Sequence, residues 1–220
     1  MKVIRKTLQI PLVKINLQEK FNSKSLLEIF IDERVWGVLP KKLLKPFRDL
    51  TEIDNESFKE IRELLYYYSR DRLFTYLAKQ EHSEYESRKY LQKLKLHKSI
   101  ISEVIDFCLD KNFISDARLA ELYVRSMIDL GKSKTEIRFK LKNKGVSPDL
   151  IDHELNKQYS NQAKQNIILE NLTKAIRIYT NRGNKDIYNK CCSYMMRKGF
   201  FYAEFSEILK EKLNYDDQSF

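Results

Sequence analysis

The side chains of this chain most able to do chemistry are cations gathered in one short stretch, GKSKTEIRFKLKNKG (131–145). Lys132, Lys134, Arg138, Lys140, Lys142 and Lys144 stand there against one acid, Glu136. Closely spaced ammonium and guanidinium groups recognise carboxylates and phosphates. The chemistry on offer is therefore attraction of an anionic partner. Catalytic arrangements are missing from the sequence, which has no GxxxxGKS/T phosphate loop, no G-x-G-x-x-G turn, no HExxH and no GxSxG. Carboxylates are plentiful, but nothing pairs them as acid and base. The chain is expected to be a binder that needs no cofactor, and not an enzyme. Cys108, Cys191 and Cys192 show neither a disulfide framework nor metal-ligand spacing and read as structural thiols. His82, His97 and His153 are scattered and read as surface or packing residues, so no metal site is expected.

Ile137 and Leu141 sit four apart, as on the buried side of an amphipathic helix. Beside them Lys134, Arg138 and Lys142 follow at i, i+4 and i+8 and form one stripe. Local helix stability does not explain it. Lys142 and Lys144 suit the negative end of the helix dipole, but Lys134 sits beside the positive end. Each like-charge pair costs an isolated helix about 0.2–0.5 kcal/mol. The stripe is therefore read as a contact surface. Phe139 points away from the seam and is expected to pack against a neighbouring helix. Tyr66-Tyr67-Tyr68 and Phe200-Phe201-Tyr202 are read mostly as core.

The elements that must position these residues are helices. Only five Gly and four Pro occur in 220 residues. The formal charge is +10, distributed as +6 over residues 1–50, −2 over 51–130 and +6 over 131–220. Such a balance suits nucleic acid or a protein bound to it. No stretch approaches the ~18 apolar residues of a membrane span, and no signal-peptide core opens the chain. A cytoplasmic protein is expected. LQIPLVKINL (8–17) and LLEIFIDERVWGVLP (26–40) read as a small β element, the second a hairpin turning near Asp32-Glu33, with 42–57 a link to the helices.

From residue 56 onward the sequence repeats. At a shift of 50, Ser83, Glu86, Arg88 and Leu91 align with Ser133, Glu136, Arg138 and Leu141. Both copies open with the Ser-x-x-Glu of a capping box. At a further shift of 54, Lys198-Gly199 falls on Lys144-Gly145, the place of a left-handed helix cap. Leading helices are expected near 69–81, 116–130 and 162–181, middle ones near 84–95, 134–144 and 187–198, and last ones near 98–110, 148–157 and 202–213. A further helix near 56–67 precedes them. The expected fold is mainly α, with tandem three-helix repeats in an elongated array behind a small N-terminal β-hairpin element. The divisions are a β-containing extension over 1–50 and repeats over 56–110, 113–160 and 161–213. Neither sister repeat carries the stripe: its equivalents are Glu84, Arg88 and Gln92, then Tyr188, Cys192 and Met196.

FISDARLAELYVRSMIDLGKSKTEIRFKLKNKGV (113–146) resembles the central signature of the RecX family of RecA regulators. The matching residues are Phe113, Asp116, Ala120, Tyr123, Val124, Gly131, Lys132, Arg138, Leu141, Lys144 and Gly145. RKGF (197–200) resembles the family's basic-basic-Gly-Phe run. The first repeat departs from the family's pattern, with His82 for arginine and Ser87 for leucine, and Met127 replaces a residue that is often arginine. The resemblance covers roughly residues 60–210. It implies a modular helical protein that lodges in the groove of the RecA filament on single-stranded DNA and limits filament extension, ATP hydrolysis, strand exchange and co-protease activity. Partner binding is then expected at Lys132, Lys134, Arg138, Lys142 and Lys144, with Arg88, Arg125, Arg197 and Lys198. A monomer with weak direct DNA contact and no membrane association follows. The alternative is a helical protein that binds nucleic acid directly, such as a transcriptional regulator, although the middle repeat lacks an obvious recognition helix with Asn, Gln and Arg arranged to read base edges.

Overall fold

The computed structural model describes residues 12–21 and 23–213; residues 8–11 of the expected first strand lie outside them. The protein is mainly helical with a small N-terminal antiparallel sheet, and it divides into two compact units, Met1–Ser115 and Asp116–Phe220.

In the first unit, β1 (Val13–Glu19), β2 (Leu26–Ile31), β3 (Arg34–Pro40) and β4 (Glu52–Ile53) form an antiparallel sheet in the order β3-β2-β1-β4. The hairpin turns at Asp32 and Glu33, both with positive φ (47° and 65°), although neither is the glycine such a turn favours. The expected link at 42–57 holds more structure than a linker: a 3₁₀ helix at Lys41–Phe47, then β4. Leu27, Ile29 and Ile31 alternate inward along β2. Where the register shifts between Ile29 and Phe30, Trp36 has no opposite partner on β2. Its indole stacks on His97 at 4.2 Å and meets Phe58 edge-on at 5.1 Å. Gly37 lets the sheet close on the helices, because a Cβ there would lie 2.6 Å from Leu65 Cδ2 and 2.9 Å from Leu96 Cδ2.

Helix α1 (Asn55–Leu77) is one continuous element where two helices were expected. No glycine or proline interrupts it, and Ile61, Leu65, Ser69 and Leu73 form a fully buried i, i+4 seam. The seam packs with α2 (Glu84–Gln92) and α3 (Lys98–Asp110). At α2 the full capping box forms between Ser83 and Glu86.

The second unit contains α4 (Asp116–Asp129), α5 (Lys134–Asn143), α6 (Pro148–Gln158), α7 (Asn161–Asn181), α8 (Ile187–Arg197) and α9 (Tyr202–Leu213). The bounds agree with the sequence expectation to within two residues. Ser133, Ser147 and Ser160 cap α5, α6 and α7 by accepting backbone N–H groups. One core joins all six helices, with Val124, Ile137, Leu141, Ile151, Leu172, Cys191, Met195, Phe205 and Leu209 among its members. Phe200 is buried, but Phe201, Tyr202 and Phe139 are exposed, as is Tyr67 in the first unit. The aromatic runs therefore contribute less to the core than their helical spacing suggested.

Candidate functional site

Helix α5 stands on a fully buried foundation. Ile137 and Leu141 have no exposed surface, and burying two such side chains stabilises the unit by about 1.5–3 kcal/mol each. That anchoring fixes the rotation of the helix and so decides which cations face solvent.

Its N-terminus is built jointly with α8. The Ser133 hydroxyl accepts from Glu136 N at 3.1 Å and donates to the Lys198 carbonyl at 2.7 Å. Lys198 is the C-cap of α8, so one serine satisfies an N-terminal donor and a C-terminal acceptor together. Gly199 follows with φ +81°, and a Cβ there would lie 2.7 Å from Ser133 Oγ. The Tyr159 hydroxyl also closes on this end, donating to the Lys132 carbonyl at 3.0 Å. Burial, with the Glu204 charge adding to it, pushes the Tyr159 phenol up to about 12, so it stays a donor.

The expected capping box of α5 is only half formed. Glu136 turns instead to Lys132 (3.1 Å) and Lys140 (3.0 Å). Burial opposes ionisation of Glu136, but hydrogen bonds and charge from Lys140 and Lys132 outweigh it and hold the carboxyl below its usual range.

The stripe is less uniform than its spacing implied. Arg138 donates to Asp152 Oδ1 from Nε at 3.1 Å and from Nη2 at 2.5 Å, bridging α5 to α6. The Lys134 ammonium lies 5.2 Å from the centre of the Tyr159 ring. Lys142 is exposed and makes no ion pair among the described residues. Lys144, just past the helix, lies 5.9 Å over Tyr123.

The other sequence-predicted residues are dispersed. Arg197 donates to the Tyr179 hydroxyl at 3.5 Å, and the Lys198 ammonium lies over Tyr194 at 5.7 Å. Arg125 pairs with Glu121 at 3.4 Å along α4. Arg88 belongs to the first unit, where it pairs with Glu84 at 2.6 Å and Asp106 at 3.9 Å. The structure thus brings the start of α5 and the end of α8 together. Asp152 and Tyr159, which hold Arg138 and Lys134, were not singled out from sequence because both lie outside the charged stretch, on and just after the next helix. Among the described residues no three His, Cys, Asp or Glu side chains gather as a metal site, and no helix is long and apolar enough to cross a membrane.

Helices behind a small N-terminal antiparallel sheet, with exposed cations on α5, define a mainly helical protein with a cationic helix face. Comparison with known proteins makes this specific. A family model described as the second three-helix domain of RecX matches residues 115–155, which contain α4, α5 and most of α6. A regulatory protein RecX from Clostridium acetobutylicum is 30% identical over 156 residues, covering 69% of this chain and 72% of that protein. Another, from Clostridioides difficile, is 26% identical over 206 residues, covering 91% and 95%. A solved crystal structure of regulatory protein RecX has the same fold, with a TM-score of 0.63 at 22% identity, covering 90% of this chain and 99% of that one. The chain belongs to the RecX family of regulatory proteins.

Proposed function

We propose that this chain regulates the RecA recombinase by lodging in the helical groove of the RecA filament on single-stranded DNA. There it opposes filament extension and damps ATP hydrolysis, strand exchange and co-protease activity, as a cytoplasmic monomer that is not an enzyme. Membership of the RecX family is the observation that carries this reading, since its curated relatives are regulatory proteins.

The charge geometry supports it. Arg138 and Asp152 are each half exposed, and an ion pair at such a surface contributes about 0–1 kcal/mol. Arg138 can therefore exchange Asp152 for an acidic group of a partner at small cost. Lys134 is held over Tyr159 before any partner arrives, which reduces the ordering cost of binding. Lys132, Lys142, Lys144, Arg197 and Lys198 complete the proposed contact on the second unit, with Arg125 on α4 and Arg88 on the first unit as further contacts.

The test is fluorescence anisotropy on a labelled oligonucleotide, bare or coated with RecA. The chain should bind the coated strand tightly at physiological salt and the bare strand weakly. Equal affinity for the two would contradict the proposal and favour a direct nucleic-acid binder.

A further inference from the structure

The cations of α5 are largely occupied by partners inside the protein, whereas several on and around the C-terminal half of α7 are not. Residues 171–200 carry seven cations and one acid, Asp186. That acid is engaged as the N-cap of α8, accepting from Asn189 N at 3.1 Å and from its side-chain amide at 2.9 Å. Lys174 and Arg177 on α7, Arg182 and Lys185 in the α7–α8 connection, and Lys212 on α9 are all exposed. None of the five makes an ion pair among the described residues.

These groups also share a shape. A groove of about 450 Å³ is lined by Leu169, Glu170, Thr173, Lys174 and Arg177. A second, of about 420 Å³, is lined by Thr173, Ile176, Arg177, Thr180, Asn181 and Lys212. Thr173 and Arg177 belong to both, so the two form one shallow, open groove along a face of α7, with Lys212 of α9 beside it. From Leu169 to Asn181 the helix rises about 18 Å. That length is enough to follow a few successive phosphates of an extended single strand.

We propose that the α7 groove binds the sugar–phosphate backbone of single-stranded DNA, through Lys174, Arg177 and Lys212, with Thr180 and Asn181 supplying neutral polar contacts. An acidic protein segment is the less suitable occupant. Protein interfaces centre on a desolvated apolar and aromatic core, and this groove has no aromatic side chain and only Leu169 and Ile176 as apolar ones. A backbone contact needs only periodic cations and hydrogen-bond donors. Glu170 at one end is the single carboxylate lining the groove.

The inference deepens the filament reading by assigning the surface that meets DNA. Its test uses bare DNA without RecA, so the two can fail separately. The chain and its variant Lys174→Gln/Arg177→Gln/Lys212→Gln are titrated with a fluorescein-labelled oligothymidylate at salt concentrations from about 50 to 200 mM. Each lost phosphate contact removes about 0.7 from the slope of log K against log salt, so the variant's slope should be shallower by about 2. The α5 variant Lys134→Gln/Arg138→Gln/Lys142→Gln should keep the wild-type slope. The proposal is overturned if the α7 variant keeps that slope, if the α5 variant carries the loss instead, or if the wild-type chain does not bind the strand. Poly-L-glutamate probes the other occupant. If it binds the wild-type chain more tightly than the oligonucleotide and is lost from the α7 variant, the groove serves an acidic protein and the proposal fails.

Discussion

Replacing Gly199 by alanine should damage two helices at once, at a cost that can be worked from the structure. Gly199 has φ +81°, a conformation that costs an L-residue roughly 1–2 kcal/mol. A Cβ there would also stand 2.7 Å from Ser133 Oγ and 3.3 Å from Thr135 Cβ. Ser133 is the cap of α5 and the donor to Lys198, so the clash cannot be relieved without disturbing a hydrogen bond that a helix start needs. Loss of a serine cap costs about 1 kcal/mol. The sum is about 2–3 kcal/mol. Gly183 is the matched control, with φ +64° and nothing within 4 Å of an added Cβ, so Gly183→Ala should cost the backbone term alone. Urea unfolding followed by far-ultraviolet circular dichroism measures both. A Gly199→Ala midpoint no lower than that of Gly183→Ala would refute the claim that the end of α8 is fitted to the start of α5.

Other expectations can be stated together. The triple reversal Lys134→Glu/Arg138→Glu/Lys142→Glu should abolish inhibition of RecA-dependent strand exchange while keeping a helical spectrum. It should also lower stability by about 1 kcal/mol, because a glutamate at 138 faces Asp152; a helical variant that still inhibits would leave the stripe a solvated face. Burial, with nearby Lys98, Arg34 and Arg62 adding, lowers the pKa of His97, whose Nδ1 caps α3 by accepting from Ser99 N at 3.3 Å. The unfolded chain therefore takes up this proton first as pH falls, and the His97 contribution, present above about 6.5, is lost as pH drops through the lower folded value. Urea midpoints read from the fluorescence of Trp36, the one tryptophan, should fall over that window, and His97→Asn should flatten the dependence. Burial pushes the Cys108 and Cys191 thiols up to about 11, so neither should react with a thiol reagent at pH ~8 until the chain unfolds.

Most of the helical architecture was legible in the residues because its signals are local. Ser133 and Ser147 mark starts, Gly145 and Gly199 mark stops, and Ile137 with Leu141 shows the buried side. At position 95, aligned with Gly145, Lys95 adopts the same left-handed turn (φ 57°), a match that residue identity hid. The break expected in α1 between 67 and 69 was misjudged for the converse reason: nothing between 55 and 77 breaks a helix, and one buried seam runs through it. Strand β4 is two residues long and has no period to read. The charged surface was legible only in part. A dense run such as 131–145 stands out in a sequence, but whether its cations are free depends on Asp152, Tyr159 and Tyr123, which packing brings to them. The cations of the second surface, Lys174 and Arg177 on α7 and Lys212 on α9, are spread along the sequence, and only the fold brings them together.

DNA-dependent ATP hydrolysis by RecA from the same cell, measured as purified chain is added, tests the central claim most directly. The rate should fall progressively as the chain approaches the concentration of filament sites, and more steeply when it is added during filament growth than after growth is complete. A rate unchanged at a large excess of folded chain would contradict the claim.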